Sequence, residues 1–294
     1  MESFKSTLAK DYQKKSRSRS IPKSHFKCFS TPDNYPVFYP SSVQNKQIRP
    51  LFTKLVKPTD KICSYFKSEC FLNIDHLLPI QDTANKPCRD PGDVSDIDFE
   101  EPQRSSFHPK FFFRYGEKNK LYPVNPVGIT GLRGKGILSY WGVNHKIELI
   151  ISRYKLNSKP KELEIIVMKN VDGTKFLLPG LFDQHNRDLT EHIVNAFAEE
   201  ICLTAPSRVK KKLCQLLKTK SECIYQSYID DPRNTDNAWI ESSIFHVNFD
   251  HSFDELTFEE SNEKFGWLLF SQCQNLYSDY TNVLNLLAQK FKVT

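Results

Sequence analysis

Two apolar runs, "IELIISRY" at 147–154 and "LEIIVMK" at 163–169, set the frame for this chain. Both are rich in Ile, and β-branched side chains sit well on a pleated surface, so both are predicted strands. An Asp172-Gly173 turn follows the second run and leads into "KFLLPG", an order that predicts a hairpin. Beyond Pro179-Gly180 a polar loop opens a segment in which Leu189, Ile193, Phe197 and Ile201 recur every four residues. That period places them on one helical face, with Asn186 or Asp188 expected to cap the start. "SRVKKKLCQLLKTK" (207–220) reads as a second amphipathic helix. "CIYQSYI", "AWIESSIFHVNF" and "FGWLLF" read as strands, and "YTNVLNLLAQKF" as a closing helix with Val283, Leu284, Leu287 and Phe291 on one side. Strands and helices mix without strict βαβ alternation, which predicts an α/β sandwich around a mixed sheet.

The first part of the chain is less regular. Residues 30 to 120 are dotted with proline and aromatics, and "YPVFYP" and "FFFRY" are candidate short strands. Between them "CRDPGDVSDIDFEEPQRSS" is acidic and turn-rich, and reads as a loop or linker. The expected organisation is a disordered basic arm over 1–29, a smaller β-rich domain over 30–121 and the main domain over 122–294. At 294 residues and 39% apolar content, the chain can bury a substantial core.

Its net charge of +6 is concentrated in residues 1–27, which carry eight Lys and Arg against two acids. The rest is close to neutral and lacks the excess charge that phosphate tracking requires, so no nucleic-acid partner is expected. No apolar run approaches the roughly 18 residues of a membrane span, so no membrane partner is expected either. The eight cysteines show no zinc-knuckle spacing, and several fall inside apolar periods. They read as free thiols in a reducing, intracellular compartment, cytoplasmic or mitochondrial. A monomer is expected.

Two stretches are candidates for chemistry. "DDPRNTDNAWIE" (230–241) joins two strands with a run of polar residues longer than a hairpin needs. Turn formation accounts for Asp, Pro and Asn, yet Asp231, Arg233 and Asp236 also suit a ligand with hydroxyls and phosphate. Carboxylates accept from hydroxyls, and a guanidinium forks onto phosphate oxygens. "NPVGITGLRGKGILSYWGVNH" (125–145) holds five glycines, whose backbone N–H groups can approach phosphates, but its spacing fits neither a Rossmann fingerprint nor a P-loop.

These two stretches, flanking a Pro-Gly-loop-helix segment, resemble the mitochondrial-type ADP-ribose pyrophosphatases of the Nudix superfamily. They equally resemble the homologous ADP-ribose-sensing domain of melastatin-type cation channels. The similarity is dense over Tyr122–Gly142, densest over Tyr225–Glu241, and continues through "FGWLLFSQCQNLYSDY"; before residue 105 it is faint, with "SSFHPKF" its best remnant. The resemblance implies a Nudix α/β/α sandwich preceded by a smaller β-rich domain. It also implies ADP-ribose or a related nucleoside diphosphate sugar as ligand, held by Asp231, Arg233, Asn234, Asp236 and Asn237, with His145 and Tyr277 lining the cleft.

The same resemblance supplies a standard for the helix. The Nudix signature runs Gly, five residues, Glu, seven residues, Arg-Glu, an apolar residue, any residue, Glu-Glu. Aligned without gaps on Pro179-Gly180, this chain has Leu181 for the signature glycine and Arg187 for the first glutamate. Asn195 and Ala196 stand in place of Arg-Glu, and only Glu199 and Glu200 remain. In the family these acids hold Mg²⁺ or Mn²⁺, which neutralises the diphosphate and activates water. With Ala196 in place of a carboxylate, Glu199 and Glu200 are the expected catalytic and metal-binding residues, with His192, Asp183 or Glu241 as conceivable substitutes. Three functions follow: an ADP-ribose pyrophosphatase yielding AMP and ribose 5-phosphate, a non-catalytic ADP-ribose binder, or a scaffold lacking both properties. The complete polar loop disfavours the last.

Overall fold

The computed structural model describes residues 90–292, apart from 92, 109–111, 116–119, 128–129, 131–132, 156–157, 159–161, 170–175, 204, 250–263 and 279. The basic arm, "YPVFYP", the first four cysteines and the Asp172-Gly173 turn lie outside the described residues. The chain forms two compact units, Met1–Asn144 with Asp230–Glu241, and His145–Ile229 with Ser242–Thr294.

In the first unit, β1 (Phe112–Tyr115) and β2 (Leu121–Val124) pair antiparallel, Phe112 opposite Val124. The acidic stretch before them has no strand among its described residues and makes a single 3₁₀ turn, Pro102–Arg104. It is a loop, but a packed one. Arg104 forks onto the buried carboxylate of Asp90 through Nη1 and Nη2 at 2.8 and 2.7 Å, and the Trp141 backbone N–H donates to the same carboxylate at 2.8 Å. A buried carboxylate needs such donors, since an unpaired charge in this setting costs several kcal/mol. Val94, Tyr122 and Trp141 form the small apolar core beside it, the rings of Tyr122 and Trp141 edge to face at 5.6 Å.

The larger sheet has seven strands. β3 (Gly142–Tyr154), β4 (Leu163–Lys169), β5 (Phe176–Leu177), β6 (Gly180–Phe182), β7 (Glu222–Tyr228), β8 (Ala238–Phe249) and β9 (Phe265–Leu269) contribute to it. The main path runs β5-β4-β3-β8-β7, with β6 added to β3 and β9 to β4. The predicted hairpin is present: Met168 pairs with Leu177 and Lys169 with Phe176, antiparallel. β3 is longer than "IELIISRY" suggests and starts at Gly142.

Alternation along the strands sends side chains to two different layers. Ile147, Leu149 and Ile151 of β3, Ile166 of β4 and Phe245, Val247 and Phe249 of β8 pack against α1 (Glu191–Ile201) and α2 (Ser207–Lys220). Ile150, Ile165, Val167 and Ile244 face α3 (Thr281–Phe291) through Val283 and Leu287. Each such fully buried aliphatic contributes about 1.5–3 kcal/mol. The fold is therefore α/β, with helices on both faces of the sheet, as the Nudix resemblance implied. Among the described residues no helix is long and apolar enough to cross a membrane.

The start of α1 corrects one expectation. Thr190 is the N-cap, its Oγ1 accepting from the Ile193 N–H at 3.4 Å. Asp188 instead accepts from the next backbone N–H, that of Leu189, at 2.8 Å. Asn186 is drawn back to Asp183, whose carboxylate takes the Asn186 backbone N–H at 3.0 Å and its amide at 2.9 Å. A short polar side chain competes for whichever N–H lies nearest, and here two local turns claim both predicted caps.

Candidate functional site

The polar loop and the glycine-rich stretch, two separate signals in the sequence, form one hydrogen-bonded structure in the first unit. The Asn237 Oδ1 accepts from the Gly134 N–H at 2.9 Å, and its amide donates to the Pro123 carbonyl at 2.8 Å. Asp236 accepts from both the backbone N–H and the hydroxyl of Thr130, at 2.6 and 3.0 Å. Thr235 donates to the Gly134 carbonyl at 2.6 Å, and Asn125 donates to the Thr235 carbonyl at 3.1 Å. Asn234 Oδ1 takes the Ile240 N–H at 3.0 Å. The glycines serve this stitching. Gly134, Gly136 and Gly142 have φ of 90°, 62° and 79°, a region that side chains with a Cβ rarely adopt. Asn234, Asp236 and Asn237, expected to face a ligand, thus hold backbone. Thr235, Asn125 and Thr130 share that work and carried no signal of their own.

Asp231 and Arg233 are set differently. The Arg233 Nε donates to Asp231 Oδ1 and its Nη2 to Oδ2, both at 2.7 Å, and the Arg233 backbone N–H adds a third bond at 2.9 Å. The Asp231 side chain is 1% exposed and the Arg233 side chain 18% exposed. The acid is therefore interior and fixes the direction of a partly accessible cation. A bidentate guanidinium–carboxylate pair of this kind is among the strongest and most directional of side-chain contacts.

The other four predicted residues lie in the second unit. His145 is buried, its backbone N–H donating to Gln184 at 3.2 Å and its carbonyl accepting from Asp183 N–H at 3.2 Å. Tyr277 is half-buried and its backbone N–H donates to the Phe176 carbonyl at 2.8 Å. Glu199 and Glu200 end α1, and they part company. Glu199 pairs with Lys210 of α2, whereas Glu200 pairs with Lys264, the residue before β9. Successive helical residues project about 100° apart, and here the two carboxylates are drawn to different lysines.

The conceivable replacement ligands are engaged elsewhere. Asp183 holds its own turn, accepting from His185 and Asn186. Glu241 is fully buried in the first unit, where Ser106 Oγ, the Phe107 N–H at 2.6 Å and Trp239 Nε1 at 2.9 Å all donate to it. His192 is exposed on the helix. Among the described residues no three His, Cys, Asp or Glu are grouped to hold a metal ion. Mg²⁺ and Mn²⁺ want several convergent carboxylate oxygens, so this donor set does not fit them. Burial pushes the Cys202 thiol up to about 11 and Cys273 up to about 12, leaving neither a thiolate at neutral pH.

Comparison with known proteins agrees with the sequence reading. Residues 80–142 match the family model described as NUDT9-like, N-terminal domain. The chain is 31% identical over 217 residues to the mitochondrial ADP-ribose pyrophosphatase of Rattus norvegicus, covering 63% of this chain and 62% of that protein. It is 35% identical over 159 residues to the rat transient receptor potential cation channel subfamily M member 2, covering 51% of this chain and 10% of the channel. A putative nudix hydrolase 6 of Caenorhabditis elegans is 29% identical over 172 residues, covering 58% of this chain and 64% of that protein. The chain thus spans less than two thirds of the length of each. The resemblance read from its residues holds, and the chain is similar, across the larger part of its length, to ADP-ribose proteins of the Nudix superfamily.

Proposed function

We propose that this protein binds ADP-ribose or a closely related nucleoside diphosphate sugar through the 230–237 loop, and does so without a divalent cation. The observation that carries the reading is the Asp231–Arg233 pair. Its guanidinium is oriented by a buried carboxylate before any ligand arrives, on a loop tied to its surroundings by Thr235, Asp236 and Asn237. Pre-orientation lowers the entropic cost of engaging a phosphate, so affinity gains from groups held in place. Arg233 takes phosphate oxygens, and the acidic and amide residues of the loop set the shape that receives the sugar and base. The relatives' names, an ADP-ribose pyrophosphatase among them, support this choice of ligand class.

Similarity to that enzyme also favours a second reading, hydrolysis to AMP and ribose 5-phosphate. Residual turnover would then draw on positioning by the loop, with Glu199 and Glu200 each paired to a lysine. Calorimetric titration with ADP-ribose, with and without Mg²⁺, followed by product analysis, separates the two. The binding reading expects affinity independent of Mg²⁺ and recovery of intact ligand. Arg233→Ala should lose about 1.5–3 kcal/mol, roughly ten- to a hundredfold. Absence of binding, or full affinity in that variant, would sink it; AMP among the products would favour the enzyme.

A further inference from the structure

A diphosphate bridge carries a negative charge on each phosphate at neutral pH. Phosphate oxygens that give up water need cations or N–H donors in its place. In a site that works without a divalent cation, as proposed above, the protein itself has to supply those cations. Arg233 is one.

The described Lys and Arg side chains of the first unit narrow the choice of a second. Arg104 is held by Asp90 and Glu101, and Lys120 pairs with Asp93. Lys135 Nζ donates to the carbonyls of Asp90 and Ser139 at 2.7 and 3.3 Å. Arg133 differs from all of these. It is half-buried, and among the described residues its side chain has no hydrogen bond, ion pair or ring contact. A half-buried guanidinium in that state has lost part of its water with no counter-ion in exchange, a cost that an incoming anion relieves.

The backbone at Arg133 is tied to the loop that carries Arg233. The next residue, Gly134, gives its N–H to Asn237 Oδ1 at 2.9 Å and takes the Thr235 hydroxyl on its carbonyl at 2.6 Å. Thr235 and Asn237 follow Arg233 by two and four residues. The peptide group that joins Arg133 to Gly134 is therefore fixed against the 230–237 loop. Two guanidiniums thus start from one hydrogen-bonded framework, Arg233 directed by a buried carboxylate and Arg133 without an anion.

We infer that Arg133 and Arg233 together hold the two linked phosphates of the ligand, a pair of guanidiniums standing where a metal-dependent site has a divalent cation. The nucleoside and the sugar at either end rest on the function proposed above; the two-phosphate clamp does not. A charge-assisted hydrogen bond is worth roughly ten- to a hundredfold in affinity. A ligand with two linked phosphates engages both arginines, and one with a single phosphate engages one.

The test is calorimetric titration of the full chain, in a metal chelator and at fixed ionic strength, with inorganic pyrophosphate, inorganic phosphate and ADP-ribose. Wild type is expected to bind pyrophosphate about tenfold or more tighter than phosphate. Arg133→Gln should bring that preference down to about threefold or less by weakening pyrophosphate, with phosphate still held by Arg233. Where that variant fails to fold, Arg133→Lys is read instead; it keeps the charge, loses the fork, and should cut the preference about threefold or more. Equal affinities in wild type, binding of neither anion, or a preference surviving in the folded variants each overturn the inference. So does equal weakening of both anions, which would make Arg133 a support for the loop. ADP-ribose bound equally by wild type and Arg133→Gln rejects the clamp and leaves the proposed function standing. A pyrophosphate preference that depends on Arg133, in a protein that does not bind ADP-ribose, does the reverse.

Discussion

Asn237 bonds to Gly134 and Pro123 at once, Oδ1 taking the glycine N–H and Nδ2 giving to the proline carbonyl. One amide thus satisfies a donor and an acceptor on a segment more than 100 residues earlier in sequence. Its removal leaves both groups buried and unmatched. Asn237→Ala is expected to destabilise the protein by about 2–4 kcal/mol, since each orphaned buried group costs about 1–3 kcal/mol. Urea unfolding measures it, and a change below about 0.5 kcal/mol would show that the segment is not held by this amide.

Asp231 is expected to act through Arg233. Asp231→Ala removes the carboxylate that directs the guanidinium, while Asp231→Asn keeps one acceptor oxygen for Nε and loses the charge. ADP-ribose affinity should rank wild type, then Asn, then Ala, with about ten- to a hundredfold between the ends. Identical affinities in the two variants would mean that Asp231 does not orient the cation.

The lysine partners of α1 make a third expectation. Glu199 and Glu200 are held apart by Lys210 and Lys264, and Ala196 stands one turn before Glu200 where a further carboxylate would project alongside it. Exposed ion pairs of this kind are worth only about 0–1 kcal/mol, so a stronger site can displace them. Wild type should show no Mn²⁺ uptake by electron paramagnetic resonance at sub-millimolar metal, and Ala196→Glu combined with Lys264→Met should acquire it. Mn²⁺ uptake by wild type would place a ligand set elsewhere than on the two α1 glutamates.

His246 gives a pH dependence. It is buried, with Nε2 2.9 Å from Ser152 Oγ, its Nδ1 facing Lys290 and Glu222, and the ring of Phe291 edge to face at 5.3 Å. Burial lowers its pKa from the ordinary 6.5 to about 4. Between these values the unfolded chain binds the proton and the folded one does not, so stability falls as pH drops from 6.5 towards 4 and is fully present above 6.5. The contribution is on the order of 3 kcal/mol at most. His246→Gln should flatten the stability profile across that window, and an unchanged slope would assign it to other groups.

Much of the architecture is legible in the sequence because period and burial agree. β4, β8 and α2 occupy the predicted runs, since their apolar residues face layers that exist. The features that stay hidden share a cause. Thr190 does not stand out as a cap because nearby polar residues carry the same local signal, and only the turn geometry decides between them. Glu148 carries no signal of its own in an apolar strand, because its partner Tyr280 is 132 positions away and outside any window. Composition marks the polar loop but not its division of labour. Asp231 and Arg233 pair with each other, Asn234 holds the Ile240 N–H, and Asp236 and Asn237 hold Thr130, Gly134 and Pro123, partners more than 100 positions away.

The discontinuity of the first unit has a kinetic corollary. Its residues up to Asn144 wait for Asp230–Glu241, and the bonds from Thr130, Gly134 and Asn125 to that loop span 106, 103 and 110 positions. Closing so long an intervening segment is an entropic cost met before any of those bonds forms. On the ribosome, the unit that is translated first cannot be completed until residue 241 has emerged. A chain interrupted anywhere between 145 and 230 is left with Gly134 N–H and the Pro123 carbonyl lacking the amide that seals them.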